Sequence, residues 1–236
     1  KFHLIHKGHH LLMLLLGLPR KTGDQSGAQG DIRDPIPEQA VLLLPSWRRA
    51  KYDGLAREEA RQESLCAGLL YAYALKKIGL SPERAVTFLP AGRPVLSDQD
   101  GGFFSLSHSG RYAMCAVSTC PVGADVQQIR RVNVNIARWL HAAEASWLDD
   151  QSEEEWNNAF FRLWTRKEAW VKATSGDEVL SLAAENVTGN LCGLWFRDYM
   201  LPGGYAAAVC AAEAEIPPIV TVERSGLLDA DDLPNG

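Results

Sequence analysis

An α+β fold of two similar halves, each a small antiparallel sheet packed with one long helix, is predicted by three features of the sequence. Two long stretches, Leu55–Ile78 and Glu153–Ala173, carry apolar residues at helical spacing. Short β-rich segments follow each of them. The resulting order of helix, strands, helix, strands suggests a pseudo-twofold arrangement with a boundary near Cys120. The expected organisation is an N-terminal extension over 1–37, an N-terminal half over 38–120 and a C-terminal half over 121–236.

The extension differs in composition from the rest. It holds four of the six histidines (His3, His6, His9 and His10), an apolar run from Leu11 to Leu18, and a Gly/Asp/Gln/Pro-rich stretch through Pro37. The apolar run is too short to span a bilayer. Lys1 and Lys7 before it give it the look of a signal-peptide core, but no small-residue cleavage site follows closely. The histidine spacing could place a metal on one helix face. Without nearby carboxylates or cysteines, a short amphipathic helix and a loose linker are the favoured reading, with no chemistry assigned.

In the first long helix Leu55, Leu65, Leu69, Ala72 and Leu75 fall near one face. Lys76 and Lys77 suit its last turn, and Gly79 ends it. Ala91–Leu96 reads as a turn entering a short extended piece. Arg111–Ser118 and Val122–Gln128 read as strands, and the short Thr119-Cys-Pro link predicts that they pair as a hairpin. The second long helix takes its apolar face from Trp156, Phe160, Leu163, Trp164 and Val171. Late strands are expected at Leu194–Asp198, Tyr205–Cys210 and Ile219–Val222.

With 46% hydrophobic and 22% charged residues the composition is that of a soluble globular protein. A net charge of -5 argues against a dedicated nucleic-acid binder, yet leaves room for a local basic pocket. The five cysteines (Cys66, Cys115, Cys120, Cys192 and Cys210) lack zinc-type spacing. They read as buried free thiols, which points to a reducing compartment.

Three segments could carry chemistry. On the strand Val122–Gln128, side chains alternate, so Asp125 and Gln127 share the face opposite Val122, Ala124 and Val126. Two oxygen-bearing groups one strand repeat apart could ligate a hard cation such as magnesium; they are equally the outer face of an ordinary strand. On the second helix, Phe161, Thr165, Glu168 and Lys172 form one stripe. Glu168 and Lys172 are either a solvated pair worth about 0.3–0.5 kcal/mol or a metal ligand or base beside a phosphate-binding cation. The bulky Trp164 and Trp170 could raise the carboxyl pKa. In Phe104–Gly110, Ser107, His108 and Ser109 could donate to phosphate. A serine-hydrolase arrangement with His108 as base and Asp125 as its orienter is available, without a GxSxG elbow.

Taken in order and spacing, these segments resemble the 4'-phosphopantetheinyl transferases of the longer, single-chain kind that modifies carrier proteins. Phe104-Ser-Leu-Ser-His-Ser-Gly-Arg-Tyr112 is similar to the first signature, Val122-Gly-Ala-Asp-Val-Gln127 to the second, and Phe161-Arg-Leu-Trp-Thr-Arg-Lys-Glu-Ala-Trp-Val-Lys172 to the third. Leu44-Pro-x-x-Arg-Arg-Ala-Lys51 and Gly92-Arg-Pro94 resemble weaker family features. The similarity runs over about residues 40 to 222, and the third signature is the most specific.

The resemblance implies phosphopantetheine transfer from coenzyme A to a serine of an acyl or peptidyl carrier protein, releasing 3',5'-ADP. It implies that Asp125, Gln127 and Glu168 surround a magnesium ion, with Glu168 also taking the acceptor proton and Lys172 meeting the leaving group. Ser107 and His108 would contact coenzyme A phosphates, and Arg48, Lys51 and Arg93 would form a cationic rim. The N-terminal half would serve the nucleotide, the C-terminal half the metal and catalytic helix. Departures are Gln127 where Glu is usual, Ser105 where Asn is common, and Arg61 standing in for a basic residue expected near Glu63 or Ser64. Gln127 leaves open a second reading, a catalytically weakened member that binds coenzyme A or a carrier domain. The expected protein is a cytoplasmic monomer, with neither membrane nor nucleic acid as partner.

Overall fold

Phe103 to Gln128 carries three seven-residue strands in close succession, and what each does with its edges sets the architecture. The computed structural model describes residues 11–17, 36, 38–89, 93–97, 102–132, 139–174, 182–191, 193–222 and 227–228. Strand β1 (Leu11–Gly17) precedes a 3-10 turn at Glu38–Leu43 and helices α1 (Ser46–Asp53) and α2 (Glu58–Lys77). There follow β2 (Val86–Phe88), β3 (Pro94–Leu96), β4 (Phe103–Ser109), β5 (Tyr112–Ser118) and β6 (Val122–Gln128). Helices α3 (Ala142–Asp149) and α4 (Trp156–Thr174) lead to β7 (Trp195–Leu201), β8 (Tyr205–Ala211) and β9 (Val220–Val222).

The chain is α+β, with small antiparallel sheets and helices packed on them. One sheet has the order β4-β5-β1-β9, the other β6-β8-β7, and β2-β3 is a separate ribbon. Every pairing is antiparallel except β1 with β9. α2 lies on β5 and β4, and α4 lies across β6 and β8. Both helices form where periodicity predicts them, with α2 burying Leu65, Leu69, Ala72 and Leu75.

Two expectations are corrected. β5 and β6 do not form a hairpin. β5 spends both edges on β4 and β1, so the short link through Pro121 carries the chain into the other sheet, where β6 pairs with β8. The hairpin is β4–β5, closed at Gly110, whose φ of 52° suits glycine in a two-residue turn. The apolar run of the extension is also not a helix. Leu11–Gly17 is β1, seated between β5 and β9, where both its edges find backbone partners. A short apolar run has no period to tell strand from helix, and an open place in a sheet decides. The histidines at 3–10 and the linker at 18–35 lie outside the described residues.

The sheets meet along β4 and β6 without pairing backbones. β6 turns alternate backbone groups toward β8; those of Ala124, Val126 and Gln128 face β4 instead. There the hydroxyls of Ser105, Ser107 and Ser109 accept their N–H groups at 3.0, 3.2 and 3.0 Å. Serines at every second position thus satisfy an edge that would otherwise carry orphaned donors.

α4 approaches the face of β6 that carries Gly123 and Asp125 so closely that only glycine fits at 123. A Cβ there would run into the carbonyl oxygen of Ala169 and lie 2.7 Å from the Ala173 nitrogen, both of them helix backbone. Gly123→Ala is therefore expected to push α4 off the strand and cost about 1–3 kcal/mol in urea unfolding.

Candidate active site

Asp125 sits on β6 and meets Lys172 of α4. It is 1% exposed, and both oxygens are occupied. Oδ1 accepts from Lys172 Nζ at 2.6 Å and from Ser107 Oγ at 2.6 Å; Oδ2 accepts from Gln127 Nε2 at 3.1 Å. Lys172 also donates to the Ala124 carbonyl at 3.2 Å. Glu168, one turn before Lys172 on α4, shares this neighbourhood. Its carboxyl pKa is raised, chiefly by burial and further by Asp125, against the pull of Lys172.

Next to this cluster opens a cavity of about 500 Å³. Arg48 and Lys51 from α1, Arg93 beside β3, Ser105 and His108 from β4 and Lys172 from α4 line it. Trp47, Phe88 and Phe104 supply apolar walls. Trp47 and Phe88 have ring centroids 6.1 Å apart, as do Trp47 and Phe104. No carboxylate stands among the described lining residues, so the cavity concentrates positive charge in a protein of net charge -5.

Burial lowers the pKa of Arg48 to about 10, still well above neutrality. Its Nε and Nη2 donate to the Ser64 carbonyl at 3.3 and 3.2 Å, which anchors the guanidinium at the cavity floor. Lys51 is lowered by burial and by the like charge of Arg48. Arg93 reaches across to α4, donating to the Val171 carbonyl at 3.5 Å. His108 is pushed down to about 4 by burial first, then by Arg48, Lys51 and Lys172, with Asp125 opposing. At neutral pH its ring is uncharged, and its 3.2 Å contact with Glu63 is a hydrogen bond rather than an ion pair.

The fold thus brings Arg48, Lys51, Arg93, His108 and Lys172 around one cavity, with Asp125, Gln127 and Glu168 at its α4 side. Two expected residues stand elsewhere. Arg61 donates from Nε to the Leu55 carbonyl at 2.7 Å and lies 5.5 Å over the Tyr52 ring, away from the cavity lining. Ser107 does not line the cavity either; its one hydroxyl proton goes to Asp125. Asp125 accepts from Ser107, Gln127 and Lys172, and His108 Nδ1 lies against Glu63, so the His108–Asp125 pair of the hydrolase arrangement is not formed.

Sequence reasoning missed the aromatic wall and the buried pair behind the helix. Lys167, next to Glu168, meets Glu144 at 2.6 Å with both side chains fully buried. Glu144 also accepts from the backbone N–H of His141 and of Val187, each at 2.8 Å. The legible signal was Glu144 three residues after His141, the spacing of a capping box.

Residues 121–189 match the family model of the 4'-phosphopantetheinyl transferase superfamily. The chain is 32% identical over 165 residues to the 4'-phosphopantetheinyl transferase HetI of Nostoc sp., covering 64% of this chain and 69% of that protein. It is 28% identical over 144 residues to the 4'-phosphopantetheinyl transferase Sfp of Bacillus subtilis, covering 56% of this chain and 64% of the relative. The chain therefore spans a little under two thirds of that Bacillus protein's length. Since the matched region holds β6 and α4, the elements that bring Asp125, Glu168 and Lys172 together, the chain belongs to the 4'-phosphopantetheinyl transferase superfamily.

Proposed function

We propose that this protein transfers the 4'-phosphopantetheine group of coenzyme A to a serine of an acyl or peptidyl carrier protein. The observation that carries the proposal is the basic cavity lined by α1, Arg93, β4 and α4 and flanked by Asp125 of β6 and by Glu168 and Lys172 of α4. In this reading the acceptor serine oxygen attacks the pyrophosphate phosphorus nearer the pantetheine. The bond to the leaving phosphate breaks, and 3',5'-ADP departs. The serine proton goes to Glu168, whose raised pKa makes it a better base than an ordinary surface carboxylate. Lys172 meets the charge that develops on the leaving group, and Arg48, Lys51 and Arg93 hold the nucleotide phosphates. His108 lines the cavity and donates to a phosphate oxygen once its single ring N–H is released from Glu63.

The donor set suits magnesium, which is commonly held by one or two carboxylates with water and substrate phosphate completing the shell. Asp125, Glu168 and the amide oxygen of Gln127 would hold it, and it would supply neutralisation of the pyrophosphate charge. Among the described residues no group of three His, Cys, Asp or Glu is placed to hold a metal ion. Residues of both 38–120 and 121–236 line the cavity, the first through α1, the β2–β3 ribbon and β4 and the second through Lys172 of α4, so in this reading one chain builds the site and a monomer is sufficient. Among the described residues no helix is long and apolar enough to cross a membrane.

A second reading has a specific observation behind it. Gln127 turns its amide N–H toward Asp125, not its oxygen, which favours a weakened metal site in a protein that binds coenzyme A or a carrier domain. Gln127→Glu would then tighten metal binding at least tenfold and raise turnover from a low level; under the first reading turnover is already substantial.

Incubated with coenzyme A and magnesium, an apo carrier protein is expected to gain the mass of one phosphopantetheine. No gain across a panel of fatty-acid, peptide and polyketide carriers would end the proposal. Glu168→Ala is expected to lower transfer by about 10²-fold or more while the circular dichroism spectrum is retained. Asp125→Ala should cost far more turnover than Gln127→Ala; the opposite order would displace the metal from Asp125.

His108 generates a stability prediction. Its unfolded pKa of about 6.5 lies above its folded value of about 4, so between these pH values the unfolded chain holds a proton that the native protein lacks. Stability is thus lost as pH falls from about 6.5 toward 4. His108→Gln should shrink the drop in Tm between pH 7 and pH 5.

A further inference from the structure

The geometry points to Ser107 as a positioning residue for Asp125, not as a phosphate contact, so that the β4–β6 seam sets the metal-binding carboxylate. The inference deepens the proposed function and rests on its placing of the metal at Asp125.

Ser107 is 7% exposed and has no proton left to donate to a phosphate oxygen in the observed arrangement. Its hydroxyl gives its single proton to Asp125 Oδ1 at 2.6 Å and accepts the Val126 N–H at 3.2 Å. The first bond holds the carboxylate and the second holds the hydroxyl against the strand that bears it. Ser105 and Ser109 flank it on the same face of β4 and accept the N–H groups of Ala124 and Gln128. Neither donates to Asp125. Ser105 spends its proton weakly on the Ala124 carbonyl at 3.4 Å. The seam therefore contains one serine whose hydroxyl links sheet registration to the carboxylate, between two that only register the sheets.

Such a bond limits how Asp125 can turn. Oδ1 lies between the Ser107 hydroxyl and the Lys172 ammonium, and Oδ2 is held by the Gln127 amide. Where a ligand carboxylate is fixed by hydrogen bonds from its surroundings, loss of such a partner costs about 10–100-fold in metal affinity. His108, the next residue on β4, points the other way and lines the cavity. One strand thereby places His108 at the cavity and aligns the metal carboxylate through Ser107.

The test measures Mn²⁺ affinity by electron paramagnetic resonance, and coenzyme A affinity without metal by calorimetry, on the full chain. Ser107→Ala is expected to raise the Mn²⁺ Kd by about tenfold and to leave metal-free coenzyme A affinity unchanged. Ser107→Thr, which keeps a hydroxyl, is expected to recover most of the loss. Ser109→Ala removes a seam contact without touching Asp125 and should leave Mn²⁺ affinity unchanged. Weaker metal-free coenzyme A binding by Ser107→Ala with intact Mn²⁺ binding would overturn the inference, because Ser107 would then be a phosphate contact. Equal losses of Mn²⁺ affinity in Ser107→Ala and Ser109→Ala would overturn it too, showing a general effect of the seam. Asp125→Ala separates the two levels. If it abolishes Mn²⁺ binding while Ser107→Ala does not weaken it, only the inference fails; if it leaves Mn²⁺ binding intact, the metal is not at Asp125 and the proposed function loses its site.

Discussion

A carboxylate that water does not reach governs the arrangement of this protein. Asp125 is buried in the middle of a strand, and an ionised group there is tolerable only if charge and hydrogen bonds replace its hydration. Three donors do so, and each arrives from a different direction: Ser107 from β4, Gln127 from the same strand, Lys172 from α4. Meeting that requirement ties together the first sheet, the second sheet and the long helix. The seam of serines and the absent side chain at Gly123 are the two local features that let these elements come close enough.

The same closeness organises the electrostatics of the cavity. Arg48, Lys51, Arg93 and Lys172 surround a space with no carboxylate among its described lining residues, and burial, with the field of Arg48, Lys51 and Lys172, keeps His108 neutral. Glu168 is pressed in the opposite sense, toward holding its proton, by burial and by Asp125. A pocket that concentrates cations beside a carboxylate of raised pKa is suited to hold a polyanion and to accept a proton at its margin. These two properties follow from one packing arrangement.

Behind the helix, the side away from the cavity is equally constrained. Lys167 and Arg166 precede Glu168, and both are committed to the 182–188 segment or to β7. Lys167 meets Glu144 and the Glu185 carbonyl, and Arg166 grips Asp198 at 2.7 and 2.8 Å along with the Val187 and Thr188 carbonyls. A helix held from behind by ion pairs and in front by Gly123 has little freedom to rotate. The run Arg166-Lys167-Glu168 thus divides its charges between anchoring the helix and facing the site.

Much of this was legible in the residues themselves. Helical periodicity located α2 and α4, strand alternation put Asp125 and Gln127 on one face, and the spacing of Glu168 and Lys172 put both on one stripe; local repeats need only the chain's own geometry. Arg48, Lys51, Arg93 and His108 come together around one cavity, and nothing in their spacing said how near they would be. Tertiary structure alone decided the rest. Whether β6 paired with β5 or β8 depended on which edges were already taken, and Leu11–Gly17 became a strand because a place between β5 and β9 was open to it. Ser107 exchanged an expected phosphate for Asp125, and Arg61 turned to a backbone carbonyl, because hydrogen-bond partners are chosen by proximity in space. The sequence by itself determined which groups are present and which face of each element they occupy. Only the packing of β4, β6 and α4 around one buried charge decided which of them meet.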